Sequence, residues 1–495
     1  MSTRTANGRT VTKPNLHVAI IGGGITGLST AWYLQQAQYR GIGVTYTVLE
    51  AGNRWGGKVL TEYVQDVAPE PFIIEGGPDS FLALQKPWAL QLARELGLED
   101  QLMSTNDDRR TIYVLVNGKL TPMPDGIYLI APTRLMPFIK TSLFSPLGKL
   151  RMAFDFIMPK GNPNADESLG DFIGRRMGRE AVDKLAEPLM AGIYNADPYR
   201  LSIQATFPRF VNMEQEHGSL IRGMLAGNKA REVMTHERPP ESSKMGAFVT
   251  FYQGTEVIIG ELMKQLTGDM RLNTAVTGIE RIEDDSYDLT LDDGTMLNAH
   301  QVVMSIPSYA AAELIGPMVP AAGNLLSEIR YVDTGTITLA YKADELNHPL
   351  DGFGVVIPIS ENRQINALTW TSTKFDHRAP KGYKLIRAFI GGSRTPEMVD
   401  KQDDEIVQIV RNELKDIMGV TADPLFHRIY RWPRSTPQYD VGHLQRVESI
   451  ESRLPFGTFL AGSPYRGIGM PDCVKQGKQT ADNIIEFMKA ESPTI

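Results

Sequence analysis

The run Gly22-Gly23-Gly24-Ile25-Thr26-Gly27 fits G-x-G-x-x-G between an apolar stretch, His17 to Ile21, and a segment with Ile25, Leu28 and Trp32 at helical spacing. Its chemistry lies in the main chain. Gly22 permits a tight turn and Gly24 lets a pyrophosphate approach the backbone. Gly27 lets the helix pack close to the strand, and Ile25 and Thr26 contribute N–H groups at the helix start that face an anion. Glu50 ends a second β-branched run, Thr45 to Glu50, about 20 residues further on. A carboxylate there accepts from a ribose 2′-hydroxyl and repels a 2′-phosphate, which disfavours NADP. NAD and FAD share this fingerprint. Arg54-Trp55-Gly56-Gly57-Lys58 then offers a guanidinium, an ammonium and two positions without side chains, suited to a second pass along a pyrophosphate, and Gly76-Gly77-Pro78-Asp79-Ser80 is another glycine turn. At the far end Ala461-Gly462-Ser463 and Gly467-Ile468-Gly469-Met470-Pro471 lead into a helix whose first N–H groups can face negative charge.

These motifs need an opening β-α-β unit with parallel strands and a carboxy-terminal strand-turn-helix. Helical spacing recurs in the middle third, at Pro87–Leu98, Leu150–Met158, Ser168–Met177 and Arg179–Leu189. Strand patterns follow a Pro- and Ser-rich linker, His236–Met245: Leu272–Ile282, Tyr287–Leu291, Val332–Ala340, Val355–Ile359, Ile365–Thr371 and Leu385–Ile390. The fold expected is α/β with α+β insertions: a Rossmann-like dinucleotide-binding domain, a mixed-sheet substrate domain and a helical insertion. Its expected divisions are a disordered tail at 1–16, dinucleotide-binding parts at 17–85, 226–300 and 425–495, a helical membrane-facing or substrate insertion at 86–225, and a substrate-binding sheet at 301–424.

The 495 residues carry 51 Lys+Arg against 58 Asp+Glu, a formal net charge of −7, with no basic block interleaved with aromatics. Nucleic acid is a poor partner for such a chain. The one cysteine, Cys473, cannot form an internal disulfide or a Cys-based zinc site, which fits a reducing cytoplasm. The eight histidines form no HExxH or HxH arrangement, so no metal is expected. No window supplies the roughly 18 consecutive apolar residues of a membrane span. Apolar residues between Ile127 and Pro159, interrupted by Arg134, Lys140, Lys149 and Arg151, fit either a peripheral membrane contact or a core-facing helix pair with snorkelling cations. Arg109-Arg110 and Arg175-Arg176 read as solvated faces.

Residues Gly22 to Ser80 resemble the flavin-containing amine oxidase superfamily. Gly192-Ile193-Tyr194-Asn195-Ala196-Asp197-Pro198-Tyr199-Arg200-Leu201-Ser202 resembles the GIYAGDP-x-x-LS signature of protoporphyrinogen and coproporphyrinogen III oxidases. Glu75–Ser80, Gly391-Gly392-Ser393-Arg394 and Pro437-Gln438-Tyr439 extend the likeness from His17 to about Phe487. The chain looks most like the bacterial, water-soluble branch. The resemblance implies FAD, with Gly22 to Gly27 at the pyrophosphate, Glu50 and Ala51 at the ribose, and Arg54, Gly57, Lys58 and Gly77, Pro78, Asp79 and Ser80 along the cofactor. Val276 would sit at the adenine, with Trp432, Ile468, Gly469 and Met470 completing the site. It implies oxidation of a porphyrinogen by oxygen: six electrons in three flavin cycles, giving hydrogen peroxide, with no catalytic side chain because flavin N5 carries the chemistry. Coproporphyrinogen III is the first substrate reading and protoporphyrinogen IX the second. An amine oxidase and a non-enzymatic prenyl-protein carrier are alternatives of other classes. Plant mitochondrial relatives carry a substrate-binding arginine where this chain has Ile112, so propionate recognition passes to Lys86 or Arg394. Tyr194, Trp370 and Phe375 are the aromatic candidates for flanking the macrocycle, each with a packing role as its alternative. Oligomeric state is left open.

Overall fold

The structure is a computed structural model that describes residues 3–4, 10–11, 16–124, 127–128, 131–132, 134–235, 246–283 and 285–490. The linker at 236–245 lies outside them, as does most of the amino-terminal tail. Within that tail Thr3–Arg4 pairs antiparallel with Thr10–Val11, so the tail is not wholly irregular.

Apolar runs buried on both faces form the three central strands of a five-stranded parallel sheet in the order Asp269–Arg271, Val44–Leu49, Leu16–Ile21, Gln301–Met304, Thr458–Leu460. Helix Ile25–Tyr39 leaves the first strand at the glycine turn and is buried over most of its length, packed against the carboxy-terminal helix Met470–Ala490. Three chain segments far apart in sequence therefore meet at the carboxyl edge of one sheet. Three antiparallel strands, Val276–Arg281, Tyr287–Leu291 and Met296–Ala299, pack beside it.

A seven-stranded mixed sheet forms the second layer, in the order Lys119–Pro122, Ile112–Val116, Gly354–Val356, Ala367–Thr369, Tyr383–Gly391, Tyr331–Lys342, Phe426–Pro437. Its one parallel pairing joins Gly354–Val356 to Ile112–Val116. Helices between Leu135 and Thr235 form a third body around Phe172, Leu185, Met190 and Phe210.

Three expected boundaries move. Gln301–Met304 belongs to the parallel sheet and Phe426–Pro437 to the mixed sheet, so neither 301 nor 425 divides them. Hairpin Ile112–Val116/Lys119–Pro122 joins the mixed sheet rather than the helical body, and 225 falls inside helix Leu220–Thr235. Alternation and apolar runs identify strands but not their sheet, because pairing partners lie hundreds of residues away. Of the run 272–282 only Val276–Arg281 is strand; the parallel-sheet strand Asp269–Arg271 ends just before the run, and Asn273 at φ 50° lies in the corner between the two sheets.

Candidate cofactor and substrate site

The first glycine turn is held from behind. Gly22 lies at φ 105°, and its carbonyl accepts from Ser305 Oγ at 2.9 Å. A Cβ on Gly27 would stand 2.0 Å from the Gly22 oxygen, so the helix can approach the strand this closely only with glycine there. A Cβ on Gly24, in contrast, would meet nothing within 4 Å. The helix that begins at Ile25 has no side-chain cap and no acid in its first turn. Its leading N–H groups, including those of Ile25 and Thr26, therefore border open space, which suits a phosphate. Glu50 orients the loop: its Oε2 accepts from the Gly23 N–H at 2.7 Å and its Oε1 from the Gly52 N–H at 2.8 Å. Each oxygen keeps a lone pair for a ribose hydroxyl. Beside the exposed Ala51, the N–H groups of Asn273 and Thr274 donate to the Gly52 and Glu50 carbonyls, bringing Val276 to the same end.

The second segment folds over the first. Gly56 N–H donates to the Gly23 carbonyl at 2.8 Å. Arg54 turns its guanidinium onto the carbonyls of Trp55, Gly57 and Val59, so it shapes the loop from within. Lys58 reaches across to the Ser435 carbonyl at 2.7 Å and ties the turn to the mixed sheet. Gly77 packs against this segment, where a Cβ would lie 1.8 Å from the Lys58 oxygen. Water can touch the Lys58 ammonium, yet the surrounding protein desolvates it and pulls its pKa down. A group both water-accessible and desolvated lines a deep cleft.

Beyond this turn lies a charge cluster that sequence did not reveal. Burial acts to raise the Asp79 carboxyl, but Lys374 at 3.0 Å, the Arg387 charge and the Ser80 hydroxyl outweigh it and hold the pKa down to about 2. Arg387, buried on the mixed sheet, donates to the Gly77 carbonyl at 2.8 Å. Trp432 donates its indole N–H to the Gly76 carbonyl at 2.8 Å, and Pro78 accepts through its carbonyl from Thr255 at 3.0 Å. Nothing in the local sequence of Lys374 or Arg387 marks them, since the contact spans about 300 residues.

The carboxy-terminal turn closes the cleft opposite. Gly467 at φ 120° leads through Ile468 and Gly469 to Met470, the first residue of the last helix. Asp472 in that helix's first turn pairs with Lys86 at 2.7 Å. Tyr194, 7% exposed, stands near Asp472, and burial followed by that charge raises its pKa.

Several expected substrate residues are placed otherwise. Trp370 and Phe375 are both 0% exposed and present no surface to a ligand. Trp370 packs against Tyr113 and His348, and Phe375 lies under Lys374 and Arg378, so the packing alternative holds for both. Arg394 is bound to Glu187 and to the Ile357 carbonyl. That pair links the mixed sheet to the helical body, and desolvation lowers the Arg394 pKa to about 10. Arg176 is not solvated: it is fully buried against Asp155 at 2.6 Å, and Arg175 pairs with Glu167 and Glu214. The apolar stretch divides into a buried side (Phe138, Leu143, Phe144, Met152) and an exposed side (Met136, Ile139, Leu147, Leu150, Phe154, Ile157). Lys149 and Arg151 there donate to backbone carbonyls.

Residues 25–485 match the family described as flavin containing amine oxidoreductase. The chain is 38% identical to a coproporphyrinogen III oxidase of Bacillus subtilis, over 95% of this chain and 98% of the relative. It is 29% identical to a chloroplastic protoporphyrinogen oxidase of Nicotiana tabacum, over 96% and 86%. A crystal structure from Exiguobacterium sp. 255-15, assigned provisionally as a protoporphyrinogen oxidase, superposes with a TM-score of 0.82 at 32% identity, covering 96% of this chain and 99% of that one. A cleft built from three glycine turns, with open space where a phosphate approaches and cations behind it, fits the cofactor such proteins carry, and the chain belongs to the flavin-containing amine oxidoreductases, in the branch that holds the coproporphyrinogen III and protoporphyrinogen oxidases.

Proposed function

We propose that this protein oxidises coproporphyrinogen III to coproporphyrin III with oxygen as acceptor, three O2 becoming three H2O2 as six electrons and six hydrogens leave the macrocycle. The observation that carries the substrate is the likeness, over nearly its whole length, to a protein named for this reaction. The cofactor is FAD, which supplies a two-electron acceptor when bound. The chain's own work is placement. Gly22 to Gly27 and Gly56 to Lys58 hold the pyrophosphate, Glu50 and Ala51 the ribose, and Val276 the adenine end, with Arg54 bracing the second turn through its carbonyls. Gly77 to Ser80, Trp432 and Ile468 to Met470 surround the isoalloxazine. Tyr194 borders the space left for a flat macrocycle, and the helical body shuts out bulk water. Of the two cations considered for the propionates, Arg394 is committed to Glu187, whereas Lys86 is 43% exposed and keeps donors beyond its bond to Asp472. Lys86 is the better propionate partner.

Anaerobic mixing with each porphyrinogen tests the assignment. Coproporphyrinogen III should bleach the flavin absorbance fastest. The plant relative's name favours protoporphyrinogen IX as the second reading. Faster bleaching by that compound would exchange the two, and bleaching by neither would end the proposal.

The reading places the protein in the cytoplasm, with the exposed side of the 135–157 helices resting on a membrane surface. Co-sedimentation with anionic vesicles should be lost in Leu147→Glu/Ile157→Glu. Among the described residues no helix is long and apolar enough to cross a membrane.

A further inference from the structure

Three strings that carry the family likeness are far apart in the chain and meet at one junction. Gly392 packs so tightly on Asn195 that a Cβ would lie 2.9 Å from that side chain, and the Ser393 N–H donates to the Asn195 carbonyl at 3.1 Å. Gln438 Nε2 donates to the Tyr194 carbonyl at 3.1 Å, and the Ser202 N–H donates to the Tyr439 carbonyl at 2.7 Å. Val441 N–H donates to the Arg200 carbonyl at 2.8 Å, and Asp440 pairs with both Arg200 and Arg330. The string Tyr194 to Ser202 thus grips the segment Gln438 to Val441 from both sides.

That segment holds the carboxy-terminal turn through one side chain. Tyr439, fully buried, donates its hydroxyl to the Ser463 carbonyl at 2.6 Å and accepts from the Gly467 N–H at 2.7 Å. Its ring stacks on His443 with centroids 4.0 Å apart and planes 13° from parallel, and His443 Nε2 lies 2.9 Å from the Tyr465 carbonyl. The loop 463–467 is therefore pinned at both ends and in its middle.

We propose that Tyr439 is a positioning residue: its hydroxyl fixes Gly467, and through Gly467 the N–H groups of Ile468 to Met470, against the pyrimidine edge of the flavin. This rests on the placement of that turn at the isoalloxazine argued above. Donors held there favour the electron-rich reduced cofactor over the oxidised one, because they require no reorganisation as charge arrives. The Gly192–Ser202 string then acts on the cofactor from a distance, by immobilising the segment after strand Phe426–Pro437 that carries Tyr439.

Tyr439→Phe keeps the ring and its stack on His443 while deleting both hydrogen bonds. The purified variant should still bind FAD stoichiometrically. Its flavin midpoint potential should fall by about 30 mV, a tenfold loss of preference for the reduced cofactor in a two-electron couple. Tyr287→Phe is the matched control, removing a buried hydroxyl bonded to the Phe456 carbonyl in the three-stranded sheet; its potential should equal the wild type's. An unchanged potential in Tyr439→Phe alongside a lowered Tm would overturn the proposal and leave Tyr439 a packing residue. Gly467→Ala separates that outcome from an error in the turn's location. Its Cβ would lie 2.5 Å from Asp472 Cγ at a φ that L side chains rarely adopt, so the turn must move. A shifted potential there with none in Tyr439→Phe refutes the tether alone. No shift in either variant refutes the location of the turn.

Discussion

The cofactor cradle and the helical body are held by opposite means. The cradle is main chain against main chain: Gly22, Gly27 and Gly77 each leave a gap that one methyl group would close, and few side chains intervene. The helical body is held by ions taken out of water. Arg176 and Asp155 are both 0% exposed, and Arg176 also donates to the carbonyls of Met158, Pro159 and Gly218, while Asp155 accepts from Ser219 and the Ile221 N–H. Backbone cradles tolerate no added atoms but little else perturbs them. Buried ion networks tolerate shape changes and fail when one charge is removed.

The sharpest way to break this contrast lies inside the cradle. Gly27→Ala and Gly77→Ala should abolish FAD retention and lower the Tm of the apoprotein, because each Cβ would stand 2.0 Å or less from a backbone oxygen. Gly24→Ala should leave apoprotein stability within about 0.5 kcal/mol. Its methyl group enters the space a phosphate needs, so the FAD Kd should rise at least about tenfold. Apoprotein melting curves and flavin titrations read both quantities. Equal apoprotein losses in all three variants would mean that Gly24 is structural and the cradle is not preformed.

In the helical body Arg176→Met should cost about 3–5 kcal/mol, since it strands the fully buried Asp155 without a cation, while Glu214 keeps Arg175. Chemical denaturation measures the loss. The flavin spectrum of the folded fraction should not change, because no member of this network reaches the cleft.

These two regions also differ in how far sequence revealed them. Glycine spacing between a strand and a helix leaves few alternatives, so the turn Gly22 to Gly27 and Glu50 behind it were legible from spacing, whereas the carboxy-terminal turn was tied to them only through the family resemblance. Arg175-Arg176 read as a solvated pair because charged residues usually are, and nothing local distinguishes a guanidinium that will meet Asp155. Trp370 and Phe375 read as ligand-facing only through resemblance, and the base-rate packing role won. Lys374, Arg387 and Tyr439 were unassigned because each acts on a segment brought to it by the fold. The strands of the mixed sheet were mostly visible as patterns, but their membership depends on pairings that local periodicity does not encode.

A pH titration tests the junction between the two regions. His443 is buried between Tyr439, Tyr465, Arg446, Asp440 and Arg466; desolvation pulls its pKa down to about 4, against the opposing bond to the Tyr465 carbonyl. Among the described residues its Nδ1 has no partner, which fits a neutral ring donating from Nε2. Between pH 6.5 and 4 the unfolded chain binds a proton at this histidine and the folded chain does not. Stability is therefore fully present above about 6.5, falls as pH drops, and stops falling below about 4, a loss of about 3 kcal/mol from this group. His443→Gln should flatten that part of the stability curve. A wild-type curve already flat between pH 6.5 and 4 would mean that the ring is protonated in place and that the stack on Tyr439 is cationic.

The smallest effect is expected at Lys86, where the cradle meets the substrate side. Its side chain is 43% exposed and its bond to Asp472 sits at the rim, so Lys86→Met should change stability by no more than about 1 kcal/mol. Removing the cation takes away a partner for a propionate, and the KM for coproporphyrinogen III should rise several-fold with the FAD Kd unchanged. The opposite pattern is equally informative. Asp472 lies in the first turn of the helix entered from Gly467 to Met470, and an unpaired carboxylate there would oppose electron-rich flavin. An unchanged KM with a lowered flavin potential would assign Lys86 to the cradle, as the group that neutralises Asp472. Propionate recognition would then fall to main-chain donors or to another part of the cleft.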